Sequence, residues 1–300
     1  MRLPLPIATF LLAAVALPTV AQPAPVSPVA DGATPVKLAG GFAFTEGPAV
    51  DAAGNVYFTD QPNDRIHKWS TDGKLSVFME PCGRSNGLCF DADGKLWACA
   101  DEKNELWKID VATKEKTVLV KDFGGKLLNG PNDIWVRPDG GAYFTDPLYK
   151  RPYWKRGPQE QPQAVYFYSK DGKLSKVDAD VKQPNGIIGT PDGRTLYVAD
   201  FGVGKTHAYD INPDGTLTNR RVFCKQASDG MTIDDAGNVY FTTKGVQVYD
   251  KAGTKIAQID TPDGGATNVC FGGADMRTLF ITTGKSLYAV KMRTKGAARQ

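Results

Sequence analysis

One short phrase recurs six times along the chain: an Asp/Gly turn, then an apolar, aromatic strand that closes on Asp or Thr. It reads DAAGNVYFTD at 51–60, DADGKLWACAD at 91–101 and RPDGGAYFTD at 137–146. It returns as TPDGRTLYVAD at 190–200, DDAGNVYFTT at 234–243 and GADMRTLFITT at 273–283. Anchored on Gly54, Gly94, Gly140, Gly193, Gly237 and, in the degenerate last copy, Met276, the copies lie 40, 46, 53, 44 and 39 residues apart. Each phrase is a strand, a tight turn and a second strand rich in aromatic and β-branched residues. A second hairpin follows most copies, as in IHKWSTDGKLSVF (66–78), VYFYSKDGKLSKV (165–177) and VQVYDKAGTKIAQI (246–259). Two hairpins make four strands, the content of one propeller blade, and the spacing suits a blade. The expected fold is all-β, a six-bladed β-propeller of four-stranded blades around a central channel. Two β-sandwiches, the rival architecture, would not space their strands in near-equal repeats. The sixth copy lacks a fourth strand after SLYAVKM (286–292), and residues 34–39 are placed to supply it and close the ring.

The repeats make one domain, 34–293, where length alone suggests two. Residues 1–21, MRLPLPIATFLLAAVALPTVA, combine a single early charge, a short apolar core and small residues before Ala21. That is the plan of a secretory signal peptide, too short in its apolar core to span a bilayer; an uncleaved anchor is the alternative. Export to the periplasm or the exterior is expected, with 22–33 a flexible linker, 294–300 a tail, no membrane span, and a monomer or weak oligomer. The 36 basic and 33 acidic residues leave a net charge of +3, which argues against a nucleic-acid partner. Export permits disulfides, but the five cysteines are odd in number. A bridge among Cys82, Cys89 and Cys99 competes with buried thiols as their reading. The two histidines, His67 and His207, fall on third strands away from the axis, which disfavours a His-rich zinc site and a Ser-His-Asp triad.

Eight residues before each anchor stand Glu46, Asn86, Asn132, Asn185, Asp229 and Asn268. All carry a side-chain carbonyl or carboxylate at the same register, where the first strand of each blade lines the channel. Equivalent positions in symmetric blades fall on one ring, and oxygen donors without soft ligands are what a hard cation demands. Glu46 and Asp229 would neutralise a divalent charge. The competing reading is that these side chains satisfy strand ends and channel waters. Calcium fits best; magnesium, manganese, iron(II) and zinc remain open. Asp60, Asp101, Asp146 and Asp200 are expected near the mouth, most of them capping turns, and Asp133 is placed to orient a ligand. Arg84, two residues before Asn86, faces either the cavity or a surface acid. The longest connection, 147–162, carries Tyr149, Tyr153 and Trp154 among Lys150, Arg151, Lys155 and Arg156. It reads as a lid with a cationic rim; a solvated loop is the plainer alternative.

The motifs FTEGPAVDAAGNVYFTD, SNGLCFDADGKLWA, LNGPNDIWVRPDGGAYFTDPLY, QPNGIIGTPDGRTLYVAD, SDGMTIDDAGNVYFTT and TNVCFGGADMRTLFIT together resemble those of the gluconolactonase/senescence marker protein/luciferin-regenerating enzyme family, over nearly the whole chain after residue 33. The resemblance implies one divalent cation held by Glu46, Asn132, Asn185 and Asp229. In the lactonase branch Glu46, Asn185 and Asp229 are the direct ligands and the Asn132 position is nearer the substrate. It further implies hydrolysis of sugar lactones, with phosphotriester cleavage at the same metal, or a non-enzymatic propeller with a structural cation, as alternatives. Asp229 is then the first candidate for general base and Glu46 the second. Asn86, Asn132, Arg84, Asp146 and Tyr149 are the candidate substrate contacts. Where such members continue from FTDP into a Tyr-Gly turn, this chain runs through Leu148-Tyr149 into KRPYWKR, so the substrate rim departs from the pattern.

Overall fold

Alternation along the second strand of each repeat decides how the blades stack. In Val56–Asp60, Tyr57 and Phe58 point to opposite faces of their sheet. Tyr57 packs with Phe78 of its own blade and Phe90 of the next, at ring separations of 5.0 and 5.2 Å. Phe58 packs with Phe42 and His67, and sits in the seam with Cys270 and Phe280 of the preceding blade. The pairs Tyr143/Phe144 and Tyr240/Phe241 repeat the arrangement and are fully buried. A strand buried on both faces in this way reads as a nearly continuous apolar run, which is why the repeated phrase is so rich in aromatics.

The computed structural model describes residues 26–297. Six four-stranded antiparallel sheets follow one another in chain order, so the architecture is the expected six-bladed propeller. Blades one to five span 45–79, 85–120, 134–178, 184–224 and 231–259. Blade six takes Asn268–Gly272, Thr278–Thr283 and Ser286–Lys291, and its outer strand is Val36–Gly40, paired with Ser286–Lys291. The closing strand is thus supplied from ahead of blade one, one or two residues later than the sequence suggested.

Both ends of the domain are more ordered than expected. Residues 29–33 lie within the proposed linker, yet Val29 bridges to Met292 and the Ala30 amide donates to the Lys291 carbonyl at 3.1 Å. Residues 294–297 lie in the proposed tail, yet Gly296 and Ala297 donate to the Met276 and Ile233 carbonyls at 2.9 and 3.1 Å. This segment borders the far end of the channel, a cavity of about 580 Å³ walled by Leu88, Ile134, Ile187, Met231 and Val269. The proposed signal peptide, 1–21, falls outside the described residues. None of the five cysteines forms a disulfide and all are buried, so no bridge joins Cys82, Cys89 and Cys99.

Each first strand approaches its neighbour closely at the ring position. A Cβ on Gly47, which follows Glu46, would lie 2.1 Å from the Asn86 carbonyl oxygen. Its φ of +49° is also one that side chains rarely adopt. Gly47→Ala is therefore expected to lower the unfolding free energy by about 2–3 kcal/mol. Urea denaturation would check it, and unchanged stability would contradict the close approach.

Candidate functional site

Six seams close a circle around the axis at the ring position. Thr59 Oγ1 donates to the Asn86 carbonyl at 3.1 Å, the Gly87 amide to the Asn132 carbonyl at 2.7 Å, and Thr145 Oγ1 to the Asn185 carbonyl at 2.7 Å. The Gly186 amide donates to the Ser228 carbonyl at 3.4 Å and the Gly230 amide to the Thr267 carbonyl at 2.8 Å. Thr267 Oγ1 donates to the Thr45 carbonyl at 2.7 Å and completes the circle. Glu46, Asn86, Asn132, Asn185 and Asn268 are buried here, while Asp229 is half-buried. The structure therefore brings all six ring residues together at one end of the channel.

Three carboxyls share this space. Burial, then the charges of Asp229 and Asp133, push the Glu46 carboxyl well above the usual carboxylate range, against the pull of the Gly47 amide at 2.9 Å. Burial also raises Asp229, opposed by hydrogen bonding from Asn185 and the charge of Arg151. Asp133 is pushed up to about 7 by burial, although its oxygens accept from the Ile134 and Ile187 amides at 3.0 and 3.3 Å. Those two bonds commit Asp133 to the strands, so Glu46 and Asp229 are the acids left to face the axis. Asn268 hydrogen-bonds both Glu46 and Asp133; it stood on the predicted ring but outside the predicted ligand set. Among the described residues no group of three or more His, Cys, Asp and Glu has metal-binding spacing. Any cation here must take amide oxygens, and Glu46 and Asp229 with Asn185 and Asn132 form a hard oxygen set that fits a divalent ion. Such an ion would remove the cost of two buried, mutually repelling carboxylates.

The other predicted contacts divide. The Tyr149 hydroxyl accepts from Asn185 Nδ2 at 3.0 Å, so the lid reaches the ring. Burial first, with the Asp229 and Glu46 charges adding, raises Tyr149 to about 12 and keeps its hydroxyl protonated. Arg84 lines a cavity of about 510 Å³ beside the ring, with Phe44, Gln61, Arg151, Pro152 and Tyr153. Asp146 is not placed to touch substrate: it is fully buried, and its carboxylate accepts from the Asn129 and Gly130 amides at 2.9 and 2.8 Å. Asp60 and Asp200 do the same for Phe44 and Gln183, at 3.0 and 2.8 Å. These acids hold the loop entering the first strand of their own blade, and Asp60 and Asp200 also cap the turn that follows, accepting from Asn63 Nδ2 at 2.7 Å and the Gly202 amide at 3.0 Å.

Asp101 behaves differently. Its Oδ2 accepts from Tyr153 at 2.7 Å, Arg151 Nε at 3.0 Å and Gln61 Nε2 at 3.1 Å, and its carbonyl accepts from Trp154 Nε1 at 2.8 Å. Asp101 is thus the anchor of the lid, a role that sequence reasoning missed. The repeat gave no signal, since Asp101 stands seven residues after Gly94 as Asp200 does after Gly193. In the structure the second strands of blades one, three and four end on Asp60, Asp146 and Asp200, but that of blade two ends on Ala100. His67 stacks on Phe58 and His207 lies 3.3 Å from Arg220, both in the blades and not in the ring.

Raised carboxyl pKa values mean that the folded, metal-free protein holds protons the unfolded chain has lost, so stability falls as pH rises from about 4 towards 7. A bound divalent ion needs the same carboxyls ionised. The melting-temperature gain on adding the ion should therefore grow between about pH 5 and about pH 7.5, read by thermal denaturation with and without chelator. Burial lowers His67 and His207 in the folded protein, but both lie in the blades outside the ring, so their contribution is common to the measurements with and without the ion and cancels from this difference. A gain independent of pH would contradict cation binding at Glu46 and Asp229.

The model described as SMP-30/Gluconolactonase/LRE-like region matches residues 44–285, from the edge of blade one to the last hairpin. A gluconolactonase of Zymomonas mobilis is 29% identical, over 89% of this chain and 84% of its own. A pentonolactonase of Haloferax volcanii is 24% identical, over 76% of this chain and 77% of its own. A solved gluconolactonase from Xanthomonas campestris, 30% identical, superposes with a TM-score of 0.81 over 91% of this chain and 99% of its own. The calcium-binding protein regucalcin from Agrobacterium tumefaciens shares the fold at 22% identity, with a TM-score of 0.71 over 88% and 95% of the two chains. With blades one to five and the first two strands of blade six inside the matched span, the chain belongs to the SMP-30/gluconolactonase/LRE-like family.

Proposed function

We propose that the protein is a metal-dependent hydrolase of sugar lactones that opens the ring ester to the hydroxy acid. The observation that carries this reading is the pairing of Glu46 and Asp229 with Asn185 in a buried ring that the lid reaches through Tyr149. The gluconolactonase and pentonolactonase relatives supply the substrate class. Glu46, Asn185 and Asp229 would hold the ion directly, with Asn132 at the substrate side, and calcium suits a set of oxygen donors best. When bound, the ion supplies Lewis-acid polarisation of the lactone carbonyl.

This chain's residues do the rest. Asp229, raised in pKa by burial and half-buried in the ring, takes a proton from the attacking water. The water oxygen bonds to the carbonyl carbon, the ring C–O bond breaks, and a proton returns to the leaving oxygen as it becomes a hydroxyl. The new carboxylic acid then loses its proton to solvent. Tyr149, held protonated beside Asn185, is positioned to donate a hydrogen bond to substrate oxygen. Asn86 and Asn132 orient sugar hydroxyls, and the lid limits water at the centre. Export is part of the same proposal and rests on the residue pattern of 1–21.

Chelation should abolish turnover of glucono-1,5-lactone above the spontaneous rate, with recovery on adding a divalent ion. Asp229→Asn should lower kcat by about 100-fold or more. Without metal the same variant should melt higher than the parent, because a buried charge beside Glu46 is gone. A pH-stat assay with the spontaneous rate subtracted, and thermal denaturation, check both. Full activity in the variant would remove Asp229 as the base.

A further inference from the structure

The positive charge on the lid is met within it by one acid, Glu160, whose carboxylate accepts from the Leu127 amide at 2.9 Å. Residues 147–159 carry Lys150, Arg151, Lys155 and Arg156 and no acid. Arg156 is used internally, donating through Nη1 to the Leu128 and Asn129 carbonyls, each at 2.7 Å. Arg151 lies instead on the cavity beside the ring, opposite Arg84 from blade two. The Arg151 guanidinium is 5.5 Å from the Tyr149 ring, and that of Arg84 is 4.6 Å from the Tyr153 ring. Stacking covers a face of each group and leaves its in-plane donors for a partner.

The local acids do not use up these donors. Arg151 gives Nε to Asp101, whose Oδ2 is already shared with Tyr153 and Gln61. Arg84 gives Nη1 to the Pro62 carbonyl at 2.6 Å, but its Nε is buried without a hydrogen-bond partner. Glu102 stands 4.0 Å from that Nε, beyond hydrogen-bond distance, and is itself well exposed. Arg84 also holds a φ of +48°, outside the region side chains prefer. Two guanidiniums act on Tyr153 beside the single carboxylate of Asp101, so positive charge is in excess there. Planar forks of this kind match carboxylate and phosphate oxygens.

We infer that this cavity takes an anionic group of the substrate, so that the preferred lactones carry a carboxylate or a phosphate ester remote from the lactone carbonyl. The inference rests on the lactonase reading and sets its substrate class. It places the anion between Arg84 and Arg151 and the lactone carbonyl at the ring. The reach is short, since Arg151 lies 5.5 Å from the Tyr149 ring, whose hydroxyl is 3.0 Å from Asn185 Nδ2.

The test compares kcat/KM for glucono-1,5-lactone, its 6-phosphate ester and a glucarolactone, which carries a 6-carboxylate. At least one acidic lactone should be preferred by about tenfold or more, with a KM that rises with salt while that of the neutral lactone does not. The arm with the larger preference identifies phosphate or carboxylate as the source. Arg151→Met and Arg84→Met should each lower kcat/KM for the acidic lactone about tenfold more than for the neutral one. Equal kcat/KM on all three lactones, with each variant shifting them by one factor, overturns the inference. Turnover of none would overturn the lactonase reading instead, and equilibrium binding of glucarate against gluconate then decides the anion site alone. Tighter glucarate binding, lost in Arg151→Met, upholds it; equal affinity overturns it.

Discussion

Closure of the ring is the constraint on which the other features depend. Six sheets arranged about an axis are stable only if the last is joined to the first, and here a strand from one end of the chain is paired with the final hairpin. With the circle closed, each first strand is pressed against its neighbour, and hydroxyl or amide donors link every seam at the ring position. The side chains there have little freedom to move away from one another. Two carboxylates and several amides are therefore held together in a place where water alone would not gather them. The electrostatic cost is imposed by topology, and a cation is the simplest means of relieving it.

Much of this was legible in the residues because propeller symmetry converts position in a repeat into position in space. Six turns counted six blades, and stepping back a fixed distance from each turn found Glu46, Asn86, Asn132, Asn185, Asp229 and Asn268. The missing fourth strand of blade six pointed to its replacement near residue 34. The scarcity of histidine was informative too, since both imidazoles lie in the blades and the ring positions carry only Glu, Asp and Asn.

What the residues did not disclose depends on where single side chains point at strand ends. Asp60, Asp146 and Asp200 look alike in sequence to an acid at an open mouth, but each turns back to bind the amides entering its own blade. Asp101 holds the same place in its repeat as Asp200 but stands one residue beyond its strand, and that step directs it to the lid. Nor does composition say that residues 29–33 and 294–297, poor in pattern and rich in small or polar residues, pack against one another's surroundings through backbone bonds. Such contacts depend on shape and not on the chemistry of the side chains.

The origin of the closing strand also sets an order of events. Val36–Gly40 is made before any blade is complete, but its partner Ser286–Lys291 is made only after five blades have followed it. During synthesis the early strand has no sheet to join, and an open arc of blades exposes apolar faces at both of its ends. The ring cannot shut until the sixth blade has been made. Until then the arc is accessible to chaperones.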